Sequence, residues 1–124
     1  MADLLIFQLP IYFTAIPAIM KGWIDSTLSL RFGFNPITTS AYDTGRFKGK
    51  YAMLVTIIGA PKQMCSEGGA HGDFNKHLEA LTHCVFKYMG LKVILPHIIY
   101  KVSNMLKERG TKELGKYKLQ LLEL

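Results

Sequence analysis

The chain has 124 residues, of which 49% are hydrophobic and 19% charged, so it has the length of one domain and is too apolar for a disordered chain. Its net charge is +6, but the C-terminal basic residues alternate with Glu108, Glu113 and Glu123 and form no uninterrupted block. We therefore expect a solvated helix face and no nucleic-acid partner, although a basic cleft that attracts anionic nucleotides fits the same numbers.

The first predicted strand covers residues 4–9, LLIFQL, which are apolar on both strand faces apart from Gln8. Continuous apolarity over this length is typical of a strand covered on both sides in a parallel α/β sheet. Pro17 then predicts the start of a helix, because the missing N–H of proline costs nothing at the first helical position.

Residues 31–50 are irregular, and a loop of this length inside a compact domain is more often functional than accidental. The second predicted strand covers residues 51–60. Asp73 predicts the cap of a helix over residues 74–90 that ends at Gly90. The helical spacing places one set of residues on a single apolar face: Phe74, Leu78, Leu81, Val85 and Tyr88.

The third predicted strand covers residues 91–100 and contains Pro96, which places it at a sheet edge or ends it early. A last amphipathic helix covers residues 107–124. The order β-α-β-α-β-α predicts an α/β fold with three parallel strands joined by right-handed crossovers.

The two cysteines, Cys65 and Cys84, lack CxxC spacing, and we expect reduced thiols in a cytoplasmic protein. Asp3 stands where a signal peptide would carry positive charge, and Pro10 and Pro17 interrupt the apolar run that follows. We therefore predict neither a signal peptide nor a membrane span, and we assign no metal site.

Two loops leave the carboxyl ends of predicted strands, where open α/β sheets bind ligands: residues 10–14 and 59–72. Tyr12 and Phe13 in the first loop are able to line an apolar slot for a flat ligand, or to roof the core. His71 in the second loop is able to donate a hydrogen bond or a proton to a ligand, or is an ordinary exposed histidine.

The same stretches resemble the NAD(P)H:quinone reductases, the DT-diaphorase-like flavoproteins of flavodoxin-like fold. The similar segments, in their family order, are DLLIFQLPIYFTAIPAIMKGWID (3–25), YDTGRF (42–47), the strand that ends in Gly59, GGAHGDFN (68–75) and YMGLKVILPHIIY (88–100). The resemblance implies a three-layer α/β sandwich and a two-electron reductase. In such an enzyme, reduced nicotinamide gives a hydride to bound FAD, and a quinone then accepts it.

The resemblance also assigns roles to individual residues. His71 matches the catalytic histidine that stabilises charge as the hydride moves. Residues that match the flavin-binding positions are Pro10, Ile11, Tyr12, Phe13, Thr14, Ile57, Ile58, Gly59, Ala60 and Cys65. Residues at or near the positions that line the substrate pocket, partly from the second subunit of a dimer, are Phe34, Pro36 and Tyr88.

The chain departs from the family pattern at several of these positions. Cys65 replaces a tyrosine that hydrogen-bonds the reduced flavin, and a thiol is a weaker donor. Ala60 replaces the second glycine of a pair, and the aromatic pair at Tyr12 and Phe13 ends one position early. Phe34 and Pro36 replace two tyrosines, which removes both pocket hydroxyls.

The strand at residues 4–9 corresponds to the third strand of the family, so residues 1–124 are expected to form one flavodoxin-like domain that is incomplete at its N-terminus. An open, apolar strand edge and weaker FAD binding would follow, because the phosphate-binding turn precedes the third strand in the family. The implied function is an FAD-dependent NAD(P)H:quinone oxidoreductase that forms a homodimer or pairs with a full-length relative. The alternative is a non-catalytic truncated relative that acts as a binding or dimerisation partner.

Overall fold

A computed structural model of the protein describes residues 2–28 and 41–124. Its three strands form one parallel sheet in the order β1-β2-β3: β1 (Leu4–Pro10), β2 (Tyr51–Ile57) and β3 (Lys92–Ile99). Each strand is followed by an α-helix: α1 (Ala18–Thr27), α2 (Phe74–Leu81) and α3 (Lys107–Leu122). The predicted α/β class and its parallel three-stranded sheet are confirmed. Pro17 lies just before the first helical residue of α1, Ala18, one position earlier than predicted, and its side chain makes no capping hydrogen bond.

The central strand β2 carries the core. Ala52 and Leu54 belong to the main apolar cluster on one face of the sheet, and Met53 and Val55 are buried on the opposite face. The first face also holds Phe7 of β1 and is covered by α1 and the region that follows α2. β2 is therefore covered on both faces of the sheet, as its continuous apolarity predicted.

Strand β1 is covered on one side only, so the prediction of cover on both sides was wrong for this strand. Phe7 and Leu9 are buried, whereas Ile6 and Gln8, which alternate with them along the strand, are exposed. The helix on the second face, α3, contacts β3 at the far side of the sheet: Gln120 Oε1 lies 2.9 Å from the Nδ1 atom of His97. In the described ranges β1 pairs with β2 alone, so its other edge is open.

Strand β3 lies at the opposite edge, as Pro96 predicted. The register with β2 shifts between Met53 and Val55, because two residues, Leu95 and Pro96, stand opposite one. Side chains of α3 cover this edge. Gln120 Nε2 donates to the Leu95 carbonyl at 2.8 Å, and Arg109 donates to the carbonyl of Tyr100 at 2.6 Å.

The predicted helix over residues 74–90 divides into two parts. Asp73 caps it by accepting a hydrogen bond from the Asn75 amide at 3.0 Å, as expected. The α-helix then ends at Leu81 and continues as a π-helical turn, Thr82–Lys87. The wider turn moves the buried face by one residue, so that Phe86 is fully buried and Val85 is not.

Residues 41–50 pack on the chain just before β3. The amide of Tyr42 donates to the Tyr88 carbonyl at 2.8 Å, and the amide of Phe47 donates to the Met89 carbonyl at 3.0 Å. These bonds bring the backbone of Gly45 against the backbone of residues 89–90. Residues 41–50, which belong to the long loop predicted to be functional, therefore pack against the folded chain and support its structure.

Candidate functional site

Three loops meet at the carboxyl edge of the sheet, where open α/β sheets bind ligands. The amide of Ile11 donates to the Ile57 carbonyl at 3.1 Å and joins the loop after β1 to the end of β2. The amide of Val102 donates to the Ile58 carbonyl at 3.2 Å and joins the loop after β3 to the loop after β2. Only the first two of these loops were predicted to belong to the site.

The loop after β1 closes a tight turn. The amide of Tyr12 donates to the Ala15 carbonyl at 2.9 Å, and the reverse bond measures 3.0 Å. The two central residues have positive φ angles, 46° at Phe13 and 65° at Thr14, which costs each non-glycine residue about 1 kcal/mol. The Phe13 ring is fully exposed and Tyr12 is largely so, hence these aromatics do not roof the core.

The structure places the predicted flavin-binding residues at three depths. Two are buried: Ile58 and Cys65. Three are half-buried: Pro10, Ile11 and Ala60. Five are exposed: Tyr12, Phe13, Thr14, Ile57 and Gly59. The first two loops therefore bring most of these residues to one open edge, and their flavin contacts stay a prediction.

Four amides on these two loops have no hydrogen-bond acceptor in the described part of the chain: those of Phe13, Thr14, Gly59 and Ala60. Donors of this kind are available to a ligand with acceptor atoms along its rim. A Cβ atom added at Gly59 would lie 3.3 Å from Ser103 Oγ, so the glycine also lets the third loop approach.

Cys65 lies beneath the site and not on it. It forms a small apolar cluster with Ile58 and Phe74, against which Tyr100 packs. Burial raises the pKa of the Cys65 thiol, so the neutral thiol is its form at pH 7. Burial also raises the pKa of the Tyr100 hydroxyl, and the neighbouring Cys65 and Asp73 raise it further by smaller amounts.

We expect the two cysteines to differ sharply in reactivity. Cys84 is exposed, whereas Cys65 is buried and can react with a reagent only when the structure opens locally. With an aromatic disulfide reagent at pH 8, one thiol should react at once and the second at least about 100-fold more slowly. The Cys84→Ser variant should lose the fast phase alone. Two fast thiols in the folded protein would contradict this placement of Cys65.

His71 is exposed, and its backbone is held on both sides. Its amide donates to the Met64 carbonyl at 2.8 Å, and its carbonyl lies 2.9 Å from the Nε2 atom of His77. The imidazole of His71 itself has no partner in the described part of the chain. The ring is therefore available to a ligand at this edge. Sequence spacing did not predict the contact with His77, nor the packing of Tyr100 against the cluster that holds Cys65.

Tyr88, one of the predicted substrate residues, does not join these loops within one chain. Tyr88 precedes β3 and so lies at the amino edge of the sheet, where its ring stands 5.5 Å from that of Tyr42. Phe34 and Pro36 lie outside the described residues. A pocket shared with a second subunit stays a prediction.

Across residues 2–28 and 41–124, no cluster of three or more His, Cys, Asp or Glu side chains is placed to hold a metal ion. Over the same residues, no helix combines the length and the apolar character needed to cross a membrane.

Known proteins similar to this chain include two quinone dehydrogenases. Ribosyldihydronicotinamide dehydrogenase (quinone) of Mus musculus is 40% identical over 99 residues, which are 80% of this chain and 42% of the relative. NAD(P)H dehydrogenase (quinone) 1 of Rattus norvegicus is 35% identical over 103 residues, which are 83% of this chain and 37% of the relative. The chain thus spans about two fifths of the length of these relatives.

A solved structure from Klebsiella pneumoniae, described as a quinone reductase, superposes with a TM-score of 0.82 at 30% identity. The match covers 90% of this chain and 46% of that one. The family model of the flavodoxin-like fold matches residues 1–122. The chain therefore belongs to the flavodoxin-like family, as its segments had indicated.

Proposed function

We propose that the chain acts in the two-electron reduction of quinones, in which NADH or NADPH gives a hydride through bound FAD. The observation that carries this proposal is the open edge where the first two loops join at Ile11 and Ile57. The similarity to proteins named as quinone dehydrogenases supports it.

The residues at this edge fit the ring system of a flavin. A flavin ring is flat and carries carbonyl oxygens and ring nitrogens that accept hydrogen bonds. The amides of Phe13, Thr14, Gly59 and Ala60, which have no acceptor within residues 2–28 and 41–124, supply donors on both loops. The exposed rings of Tyr12 and Phe13 supply apolar contact area.

When bound, the flavin supplies the hydride chemistry, and the protein supplies position and charge. In this proposal the loop amides orient the ring, and the exposed imidazole of His71 stabilises the charge that develops at the ring edge. Cys65 is a neutral, buried thiol, so it contributes at most a weak donor. We expect slower turnover than in an enzyme with a tyrosine there, on the order of 10 to 1,000-fold.

A shared substrate pocket accounts for the place of Tyr88 at the opposite edge of the sheet. We propose that two copies form a dimer in which Tyr88 of one copy approaches the flavin of the other. A quinone or a similar flat aromatic molecule would occupy the space between them. Phe34 and Pro36 carry no hydroxyl, so this pocket would hold its substrate mainly by apolar contact.

Flavin retention tests the proposal directly. Residues 1–124 are purified under mild conditions, and the visible spectrum and thermal unfolding are recorded with and without FAD or FMN. Bound flavin, or a rise in melting temperature that saturates with FAD, is expected and would be followed by NAD(P)H–quinone assays. A folded sample with no flavin and no shift would overturn flavin-dependent activity of this chain and favour the non-catalytic alternative.

A matched pair of variants locates the flavin. Phe13→Asn removes the exposed ring but suits the positive φ angle at this position, because asparagine tolerates it. We expect the affinity for FAD to fall about 10-fold while the melting temperature without FAD stays the same. Ile19→Asn removes another exposed apolar side chain, from α1, and should leave FAD affinity unchanged. Equal losses in both variants would place the flavin elsewhere.

A further inference from the structure

The peptide group that links His71 to Gly72 is held at both of its polar atoms. The His71 carbonyl lies 2.9 Å from the Nε2 atom of His77, and the Gly72 amide donates to the Gly69 carbonyl at 2.9 Å. The His71 amide is bonded as well, to the carbonyl of Met64. The backbone on both sides of the His71 side chain is therefore fixed.

The contact with His77 depends on the glycine beside it. Gly72 has a φ angle of +73°, and a Cβ atom at this position would lie 3.3 Å from His77 Nε2. The absence of a side chain leaves room for the imidazole. The Phe74 ring meets the same imidazole edge-on, with ring centroids 5.4 Å apart and planes at 77°. The orientation of the His77 ring is thus set from two sides.

A carbonyl oxygen only accepts hydrogen bonds, so the His77 Nε2 atom must carry the hydrogen. The neutral ring protonated at Nε2 and the imidazolium both satisfy this requirement. His77 also borders an apolar cavity of about 270 Å³, together with Thr14 and Ala15 of the first loop. The His77 imidazole therefore lies between the loop after β1 and the loop after β2.

We propose that His77 is a positioning residue: its Nε2–H group holds the His71 carbonyl and so fixes the direction in which the His71 imidazole leaves the backbone. The role of His71 in turnover rests on the proposed function. The positioning itself is a property of the folded chain and has its own readout. A small displacement of a catalytic group has a large effect on rate. A contact that fixes the direction of the His71 side chain should therefore affect turnover.

The test compares His77→Phe, which keeps a ring beside Phe74 but has no donor, with His77→Gln, which keeps an amide donor. His83→Phe is the control, since His83 is an exposed histidine on the π-helical turn. NMR measures hydrogen exchange of the Gly72 amide in each. We expect exchange about fivefold faster in His77→Phe, largely restored in His77→Gln and unchanged in the control.

Equal exchange in His77→Phe and wild type would overturn the inference, whether or not the chain reduces quinones. If His77→Phe fails to fold, His77→Leu replaces it in the same comparison. With FAD and a quinone, kcat should fall about 10-fold in His77→Phe while KM stays within about twofold. A wild-type chain without turnover would count against the proposed function alone, because the exchange experiment still decides the role of His77.

Discussion

Gly45→Ala should lower the free energy of unfolding by about 3 kcal/mol or more, because there is no space for a methyl group at this position. A Cβ atom on Gly45 would fall against the backbone of Met89 and Gly90. Backbone atoms give way only if the segment moves. The hydrogen bonds from Tyr42 to Tyr88 and from Phe47 to Met89 would then have to lengthen or break.

Gly115→Ala is the matched control. Gly115 lies within α3 and has open space around it, so an added methyl group should raise stability by about 0.5–1 kcal/mol through helix propensity. Urea denaturation with a common slope measures both changes. A loss below about 1 kcal/mol in Gly45→Ala would show that residues 41–50 are not packed on residues 88–90 as described.

His71→Gln should lower kcat about 100-fold if the proposed function holds, since a positioned group that moves or stabilises charge contributes at least that much. The side chain is exposed and unpartnered among the described residues, so its loss should leave the melting temperature unchanged. Affinity for FAD should stay within about threefold of wild type, because the amides and exposed rings of the two loops supply most of the proposed contact.

The control for this variant is His83→Gln, which removes an exposed histidine remote from the three loops and should retain full turnover. Steady-state kinetics with a quinone, and FAD titration of each variant, separate chemistry from binding. If His71→Gln and His83→Gln turn over equally fast, His71 is an ordinary loop histidine. If FAD binding is lost together with turnover, His71 holds the ring and does not act on the reaction.

The sequence predicted the strands and their order well, because a buried parallel strand reads as a short apolar run between loops. It failed where the geometry depends on a neighbouring element. The helical face assigned through Val85 holds only as far as Leu81, since both Val85 and Phe86 are apolar and periodicity cannot reveal a π-helical turn between them. Ile6 was expected to be buried, but burial on that face depends on where α3 lies.

The candidate site shows the same division. Its loops followed from their place after the strands, and the residues in them from the resemblance to quinone reductases. The contact between His77 and the His71 carbonyl could not be predicted, because it joins residues whose spacing suits no known motif. The packing of Tyr100 against the cluster of Cys65 was not predicted either, because it joins the end of the third strand to the loop after the second.

The two edges of the sheet differ, and this difference limits how copies of the chain can associate. The β3 edge is interrupted at Pro96 and covered by Gln120 and Arg109, whereas the β1 edge carries no such cover in the described ranges. A sheet with two bare edges adds copies without end and grows into a filament. With the β3 edge closed, pairing through the β1 edge stops after a single partner, so edge-to-edge pairing of this sheet cannot by itself build a filament.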